Sequence, residues 1–464
     1  MARPNIVFIV ADDMGYGDFG CFNYGASRTP ALDRLAAEGL CLSQHYSACP
    51  MCAPARATLY TGRYPHRTGC IDTIEVNGMD RLALRETTIA DLLRRAGYAT
   101  GLVGKWHNGA GDPRYHPNAR GFDEFAGFRA GGMDYFDWRI EVGGRPRRAD
   151  GRYLTDVFTD EAVAFLRRHR KRPFFLNVTY SAPHEPFQAP DEDVRPFLET
   201  GSFNRGVSTL YGMLRVLDRG VERIVGELDR LGLTDNTLLL FTSDNGPQFG
   251  GAGDGEWDTT RFNCGFRGRK GLVYEGGIRV PMLIRWPAGL DGGRAVHQMT
   301  HFADWLPTLL AVAGAEPPAE LDLDGVDVLP VLQGEPARVS PVRFWQWNRY
   351  VPVGVCNAAM RDGPWKLVRP AIAAMIERNR EFSRLDRAYT AHPEEYPDGP
   401  PRAVPPDYEV PDPPPAPELY NLDADPMEQR DLAAEHPDRA ARMARALETW
   451  FETVEAERAA IRDE

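Results

Sequence analysis

Short apolar runs alternate with amphipathic segments through the first two thirds of the chain. The apolar runs predict strands at 5–10, 98–103, 173–180, 237–243 and 280–285. The amphipathic segments predict helices that begin near 30 and 88, and others over about 155–169, 209–231 and 302–313. Strands that are apolar on both faces and separated by helices are typical of a parallel sheet covered on both sides. We therefore predict an α/β fold with a large, mostly parallel sheet sandwiched by helices.

The pattern changes after about residue 335. Short aromatic segments at 344–347 and 365–368 alternate as hairpins do, and a last helix is predicted over about 437–460. Residues 393–417 are rich in proline and acidic residues, which predicts a loop or linker. We predict a large domain over 1–335 and a smaller C-terminal α+β subdomain over 336–464, made of a short antiparallel sheet and the terminal helix.

The composition narrows the class of partner. The chain of 464 residues is 43% hydrophobic and carries a net charge of −12, with a pI near 5.4. This acidity argues against nucleic acid or an anionic membrane as a partner, and no segment approaches the length of a membrane span. The chain enters an apolar strand by residue 5 without a secretory signal, so we expect a cytoplasmic protein, or a secreted one if the chain was trimmed. Seven cysteines in a chain of this length do not suggest a disulfide framework.

Ionisable and amide side chains follow four of the predicted strands. In the order of those strands they are Asp12 and Asp13, Lys105 and His107, His184, and Asp244 and Asn245. Ligands of open α/β sheets bind beyond the carboxyl ends of the strands, so we expect these side chains to lie close together. Each also has an ordinary alternative, since Asp-Asn-Gly is a turn signal and an isolated histidine is commonly structural.

These residue types suit a metal-assisted group transfer. The carboxylates and the amide of Asn245 form an oxygen-only set that matches Ca²⁺ or Mg²⁺ better than zinc. Arg56, Lys105 and Lys270 supply positive charge for a tetrahedral anion, and histidines can move protons near neutral pH. The set predicts transfer of a sulfuryl or phosphoryl group.

The stretch from Cys49 to Gly62 reads Cys-Pro-Met-Cys-Ala-Pro-Ala-Arg-Ala-Thr-Leu-Tyr-Thr-Gly and predicts a helix that starts near Cys52. Pro54 is tolerated in a first helical turn, where backbone N–H groups are unpaired and the helix dipole is positive. Cys52 would therefore lie in a corner that receives an anion, with Arg56 beside it. Cys49 and Cys52 also fit a redox dithiol, half of a zinc site, or a buried structural pair.

Short sequence motifs, spread along nearly the whole chain, match in order the motifs of one protein family. Cys-x-Pro-x-Arg stands at 52–56 and continues to Arg63. The other blocks are Asp-Asp at 12–13, Gly-Lys-Trp-His at 104–107, Pro-His-Glu-Pro at 183–186, Ser-Asp-Asn-Gly at 243–246, and the segments 270–281 and 418–432. Together they resemble the type I, formylglycine-dependent sulfatases of the alkaline phosphatase superfamily, which include the arylsulfatases.

This resemblance implies hydrolysis of a sulfate monoester of a sugar or an aryl or alkyl alcohol. Cys52 would be oxidised to formylglycine by a formylglycine-generating enzyme, and the hydrated aldehyde would attack sulfur. The resemblance implies Ca²⁺, with Mg²⁺ as the alternative, held by Asp12, Asp13, Asp244, Asn245 and residue 52. A thiol nucleophile would lack the second hydroxyl that later expels sulfate.

The resemblance also assigns catalytic roles. Arg56 would steady the diol, His107 would accept the proton that drives elimination, and Asp244 would help to deprotonate the nucleophile. Lys105, Lys270 and His184 would bind the sulfate, and the last two would protonate or stabilise the leaving oxygen.

Two departures from the family pattern and two rival functions accompany this interpretation. Ala55 stands where serine is common, and Asn108 stands where leucine is frequent, which leaves local packing or a substrate contact open. The rivals are a phosphonate monoester or phosphodiester hydrolase of the same superfamily and an unmodified binding homologue. Asp13 and Asn245 favour the sulfatase, since the phosphonate branch tends to carry Gln and His there. The substrate is expected to be a small sulfated molecule, such as a saccharide. The walls of its pocket are expected to come from residues 128–139, 345–350 and 370–417.

Overall fold

The computed structural model describes residues 3–250, 255–335, 340–392, 395–396 and 399–462. Its strands are β1 (Asn5–Ala11), β2 (Leu40–Leu42), β3 (His45–Tyr46), β4 (Ala99–Lys105), β5 (Glu124–Phe128), β6 (Arg139–Val142), β7 (Arg145–Arg148), β8 (Phe174–Thr179), β9 (Thr237–Ser243), β10 (Met282–Arg285), β11 (Arg294–Val296), β12 (Thr300–His301), β13 (Val342–Gln346), β14 (Ala358–Asp362), β15 (Trp365–Arg369) and β16 (Glu418–Asn421).

Helices separate most of these strands. They are α1 (Pro30–Glu38), α2 (Cys52–Thr61), α3 (Pro65–Thr68), α4 (Ile89–Arg95), α5 (Leu154–His169), α6 (Asp191–Leu198), α7 (Arg205–Arg230), α8 (Glu275–Ile278), α9 (Trp305–Val312), α10 (Leu329–Leu332), α11 (Ala373–Ile376), α12 (Arg380–Ala391) and α13 (Pro437–Ala459).

A ten-stranded sheet organises the larger part of the chain, in the order β11-β2-β10-β9-β1-β8-β4-β5-β6-β7. The strands β9, β1, β8, β4 and β5 run parallel, whereas β10 is antiparallel to both of its neighbours. The predicted large, mostly parallel sheet is confirmed.

Two apolar cores explain why the strands are apolar on both faces. Val7 and Ile9 of β1 pack in the core that includes α5 and α7, whereas Ile6 and Phe8 pack in the core that includes α2, α4 and α9. Successive side chains of a strand point to opposite faces, so a strand covered on both sides must be apolar at every position.

The carboxyl ends of β9, β1, β8 and β4 meet at one edge of the sheet. These four strands are adjacent and parallel, with Ala11 of β1 paired to Ser243 of β9 and Gly104 of β4 paired to Thr179 of β8. The residues that follow the strands are therefore brought together from distant parts of the sequence.

The C-terminal part contains an antiparallel sheet in the order β13-β14-β15-β16. Its apolar face packs on α13 through Met443, Leu447, Trp450 and Val454. The predicted small sheet and terminal helix are confirmed, while the division at residue 335 stays a prediction.

Several element bounds differ from those predicted. Helix α7 begins at Arg205, earlier than 209, because Asn204 caps it by accepting a 2.8 Å hydrogen bond from the Val207 N–H. Helix α12 was not predicted and lies just before the proline-rich stretch. Within that stretch, residues 399–417 contain neither helix nor strand, as predicted. Across the described residues, we find no helix with the length and apolar character that crossing a membrane requires.

Candidate active site

Helix α2 starts at Cys52, the first helical residue after Met51, which has extended backbone. Its last residue is Thr61, and it is capped by Gly62, whose φ of 70° is the left-handed conformation that ends many helices. Cys52 is 2% exposed and lies among the unpaired N–H groups of the first turn. Cys49 is buried as well, and burial raises the pKa of its thiol well above the usual value. None of the seven cysteines, all within the described residues, forms a disulfide.

Carboxylates from β1 and β9 converge on Cys52. Ligand atoms of Asp12, Cys52 and Asp244 all lie within 4.8 Å of one another, and so do those of Asp12, Asp13 and His184. Asn245 joins the cluster because its Nδ2 donates a 2.8 Å hydrogen bond to Asp13 Oδ1. The predicted oxygen ligands therefore lie together, at the sheet edge where the strand order places them.

Two buried acceptors in this cluster have no hydrogen-bond partner among the described residues: Asp12 Oδ1 and Asn245 Oδ1. Buried polar atoms are rarely left unpaired, since desolvating them costs free energy. A hard divalent cation that prefers oxygen ligands would satisfy both atoms. The donor set of Asp12, Asp13, Asp244 and Asn245 thus fits Ca²⁺ or Mg²⁺.

Arg56 and Lys105 hold the carboxylates in place. Arg56 Nε and Nη2 lie 2.9 and 2.8 Å from Asp244 Oδ2, and its Nη1 donates to the carbonyl of Lys105. Lys105 Nζ lies 2.6 Å from Asp12 Oδ2. Arg56 and Lys105 are both fully buried, and such buried charges are tolerated only when they are paired and hydrogen-bonded.

Lys270 and His184 approach from the other side of Asp13. Lys270 Nζ lies 2.7 Å from Asp13 Oδ2, and His184 Nε2 lies 3.9 Å from the same oxygen. The other ring nitrogen of His184, Nδ1, is 2.7 Å from the carbonyl of Glu185. Lys270 was predicted from sequence without a strand to position it, and the loop after β9 carries it to the site.

His107 follows β4 in a left-handed backbone conformation, with a φ of 56°. Its Nε2 lies 3.0 Å from the carbonyl of Thr73, while its Nδ1 is buried without a partner among the described residues. A side chain at Gly131 would place its Cβ 2.7 Å from His107 Nε2. The glycine therefore leaves room for the imidazole.

Burial and the crowding of charges shift the pKa values of these groups. Burial raises the pKa of Asp244 to about 6, and the negative charge of Asp12 adds to the rise. Burial opposes ionisation of Asp13 also, but the charge of Lys270 and the hydrogen bonds from Lys270 and Asn245 bring its pKa well below the usual value. Asp13 therefore stays ionised, while Asp244 holds its proton into the weakly acidic range.

Both histidines have lowered pKa values. Burial, followed by the charge of Lys270, lowers the pKa of His184 to about 3, and burial and Lys105 lower that of His107 well below its usual value. The neutral form of His107 is the form that can accept a proton. At neutral pH His184 is also uncharged, and a bound anion beside it would raise its pKa.

A cavity of about 260 Å³ opens over this cluster. It is lined by Cys52, His107, His184 and Lys270, by Ala130–Gly132, by Arg349 and Tyr350, and by Arg378, Ser383, Asp386, Arg387 and Thr390. Each of the three predicted wall segments contributes residues. Thr73, Ile74, Glu75 and Asp80 also line the cavity, and sequence analysis missed them because no motif or strand end marks that loop.

The two departures from the family pattern are buried. Asn108 is fully buried, and its Nδ2 donates to the carbonyl of Ala53 and to Cys70 Sγ. It does not line the cavity, so its role is to hold the first turn of α2. Ala55 is fully buried in the core that includes α2, α4 and α9.

Comparisons with known proteins agree with this geometry. A model of the sulfatase family matches residues 4–315, and a model of the N-sulphoglucosamine sulphohydrolase C-terminal region matches residues 266–374. The steryl-sulfatase of Mus musculus is 34% identical over 446 residues, covering 78% of this chain and 69% of the relative. The N-acetylgalactosamine-6-sulfatase of Canis lupus familiaris is 35% identical over 383 residues, covering 75% of this chain and 70% of the relative.

Among solved structures, Ps i-CgsB in complex with k-i-k-neocarrahexaose has a TM-score of 0.78 and 31% identity, covering 97% of this chain and 92% of that chain. Family models, relatives and fold thus point to one group of enzymes. The chain belongs to the sulfatase family, within the alkaline phosphatase superfamily, and is a sulfuric ester hydrolase.

Proposed function

We propose that this sulfatase hydrolyses the sulfate ester of a saccharide, with formylglycine derived from Cys52 as its nucleophile and a divalent cation, Ca²⁺ or Mg²⁺, beside it. The observation that carries the proposal is the convergence of ligand atoms of Asp12, Asp244 and Cys52 to within 4.8 Å of one another, with Cys52 lining a cavity. Conversion of Cys52 requires a formylglycine-generating enzyme as a partner.

Two groups supply chemistry that the side chains lack. The hydrated aldehyde of formylglycine supplies a nucleophilic hydroxyl, and the cation would lower the pKa of that hydroxyl and offset charge on the sulfate. Asp12, Asp13, Asp244 and Asn245 would hold the cation, and the unpaired Oδ1 atoms of Asp12 and Asn245 support this assignment.

The chain's own cations orient the sulfate. Lys105 and Lys270 both lie within 2.7 Å of carboxylates of the cluster, so their ammonium groups are held beside the expected position of the sulfate oxygens. Lys270 keeps its proton because the negative charge of Asp13 raises its pKa despite the opposing effect of burial. His107 is neutral and can accept a proton from residue 52, and Lys270 can stabilise the leaving oxygen.

A saccharide fits the cavity better than a sterol. The relatives named above include a steryl-sulfatase and an N-acetylgalactosamine-6-sulfatase, and Ps i-CgsB was solved with neocarrahexaose. In this chain the cavity walls carry Glu75, Asp80, Arg349 and Asp386. Charged groups at this density match the hydroxyls of a sugar, whereas an apolar sterol would leave them desolvated and unpaired.

Two measurements test the proposal. Mass spectrometry of the peptide that contains residue 52, from protein coexpressed with a formylglycine-generating enzyme, should show the aldehyde in place of the thiol. The same protein should release sulfate from sulfated sugars faster than from a steryl sulfate, with an aryl sulfate and a phosphodiester as reference substrates. A thiol in the native host, or no turnover of any sulfate ester by the aldehyde form, would contradict the proposal.

A further inference from the structure

Four carboxylates outside the catalytic cluster line the same cavity: Glu185, which follows His184, and three whose charges act on one another, Glu75, Asp80 and Asp386. Glu75 and Asp80 come from the loop between α3 and α4, and Asp386 comes from α12. We call these three residues the acidic wall. No metal ligand or proposed catalytic residue belongs to it, so its charge needs a separate explanation.

Glu75 is already paired. Its Oε1 accepts hydrogen bonds from the backbone N–H groups of Ala110 and Gly111, and its Oε2 accepts one of 2.9 Å from Arg81 Nε. Asp386 Oδ1 accepts a 2.8 Å hydrogen bond from the backbone N–H of Glu75, which ties α12 to the loop. These contacts fix the position of the wall before any ligand binds.

Asp80 differs from the other two. It is only 2% exposed, it lines the cavity, and its Oδ1 is buried without a hydrogen-bond partner among the described residues. No ion pair reaches Asp80 within the part of the chain that the structure describes. Burial, together with the charges of Glu75 and Asp386, raises its pKa well above the usual value. A cation bound beside Asp80 would favour the ionised carboxylate and pair its Oδ1, whereas a neutral ligand would leave the carboxyl protonated.

The nearby arginines do not supply a donor for Asp80 Oδ1. Arg81 is bound to Glu75, and Arg349 Nη1 is bound to Asp72 and Thr73. Arg387 Nε donates to the carbonyl of Ser383, and Arg378 is exposed. Among the described residues, none of these arginines donates a hydrogen bond to Asp80 Oδ1, although the charge of Arg378 acts on Asp386.

A metal ion does not fit the acidic wall. The groups of His, Cys, Asp or Glu whose ligand atoms lie within 4.8 Å of one another, over the described residues, are the two at the catalytic cluster. The oxygens of the acidic wall are more widely spaced, which suits an organic cation with several N–H donors. Charge-assisted hydrogen bonds from such a group are stronger than those from a neutral hydroxyl.

We propose that the acidic wall binds a protonated amino group, so that the preferred substrate is a sulfated amino sugar whose amine carries no acetyl or sulfate group. This inference rests on the proposed function and deepens it. Lys105 and Lys270 face the sulfate, and the acidic wall faces the ammonium group of the same molecule. A zwitterionic substrate thus matches the opposite charges of the cavity, and N-acetylation removes the match.

The test compares matched substrates on fully modified enzyme. Glucosamine and N-acetylglucosamine sulfated at O3 or O6, galactosamine and N-acetylgalactosamine sulfated at O4 or O6, and glucose 6-sulfate form the panel. At the sulfated position that the enzyme accepts, the free amine should have a kcat/KM about tenfold higher than its acetylated or hydroxyl counterpart. Asp80→Asn and Asp386→Asn should each reduce this ratio, and Glu381→Gln, an exposed change on α12 outside the cavity, should leave it unchanged.

A binding measurement keeps the two proposals separable. Calorimetry with the Cys52→Ala variant needs no turnover, and it should show tighter binding of the free amine than of its N-acetylated counterpart. Equal or tighter binding of the acetylated sugar, or an amine preference that survives Asp80→Asn, would overturn the acidic wall as an amine site. Absence of turnover on every sulfate ester, an aryl sulfate included, would instead count against the proposed function, while calorimetry still judges the amine site.

Discussion

At the scale of single residues, the site depends on charges that are buried and mutually paired. Four charged side chains of the site are fully buried, and each lies within 4.0 Å of an opposite charge: Arg56, Lys105, Asp12 and Asp244. Burying these charges costs desolvation free energy, which their mutual pairing offsets. Cys52 borders this cluster, with its Sγ within 4.8 Å of carboxylate oxygens of Asp12 and Asp244.

Replacing Cys52 separates the sulfatase interpretation from the redox one. Cys52→Ala should reduce kcat for an aryl sulfate to near the uncatalysed level, because the nucleophile is removed. Cys49→Ala should keep most of the activity, since Cys49 is buried and does not line the cavity. Steady-state kinetics on both variants decide between them. Equal loss in the two variants would favour a dithiol.

Cation affinity should depend on pH through Asp244. Its pKa is raised from 3.8 to about 6, so in the cation-free protein its contribution to stability is full at low pH and is lost as pH rises through about 6. A cation must displace that proton, so Ca²⁺ affinity should fall about tenfold per pH unit below 6. Calorimetric titration with Ca²⁺ at pH 5, 6 and 7 measures this. An affinity that does not change with pH would exclude proton competition at this carboxylate.

At the scale of elements, a buried ion pair network joins the C-terminal sheet to helix α8. Lys366 of β15 is fully buried, with its Nζ 2.8 Å from Glu275 of α8 and 2.8 Å from Glu428. Glu275 also accepts hydrogen bonds from Tyr46 and Arg279. The network positions the loop that carries Lys270 relative to the C-terminal sheet.

Removing Lys366 should therefore be destabilising. Lys366→Met leaves two buried carboxylates without their shared cation, and we expect the free energy of unfolding to fall by about 3–5 kcal/mol. Urea denaturation monitored by tryptophan fluorescence measures the change. Arg430→Ala breaks an exposed pair with Glu435 and should cost less than about 1 kcal/mol. A similar decrease in the free energy of unfolding in both variants would show that the buried ion pairs stabilise the fold no more than an exposed pair does.

At the scale of the whole molecule, the expected cation would link elements that are far apart in sequence. Its expected ligands follow β1 and β9, and α2 is held to them through Arg56. The cavity is closed by α12 from the C-terminal part of the chain. Residues from both parts of the chain therefore line the cavity.

Removing the cation with a chelator should lower the thermal stability of the protein. A ligand that binds only the native state raises stability by about 3 kcal/mol at a hundredfold excess over Kd, so EDTA should lower Tm by at least about 2 °C. Differential scanning calorimetry before and after dialysis, with Ca²⁺ added back, measures the shift. An Asp13→Asn variant should show a smaller response to Ca²⁺. Identical melting curves with and without the cation would argue that the cluster holds none.

Sequence alone determined the fold class, the small C-terminal sheet and the residues at the strand ends. This was possible because a strand covered by helices on both faces must be apolar throughout. Polar side chains therefore occur mainly after such a strand ends, as Asp12 and Asp244 do after β1 and β9. Three of the cavity's wall segments were predicted from sequence, whereas the tertiary structure alone decided that the loop carrying Glu75 and Asp80 joins them. No periodic pattern marks Glu75 and Asp80, and their proximity to Asp386 depends on how α12 packs on the loop before α4. Periodicity records which face of an element is buried, whereas a binding wall depends on long-range packing that no local pattern encodes.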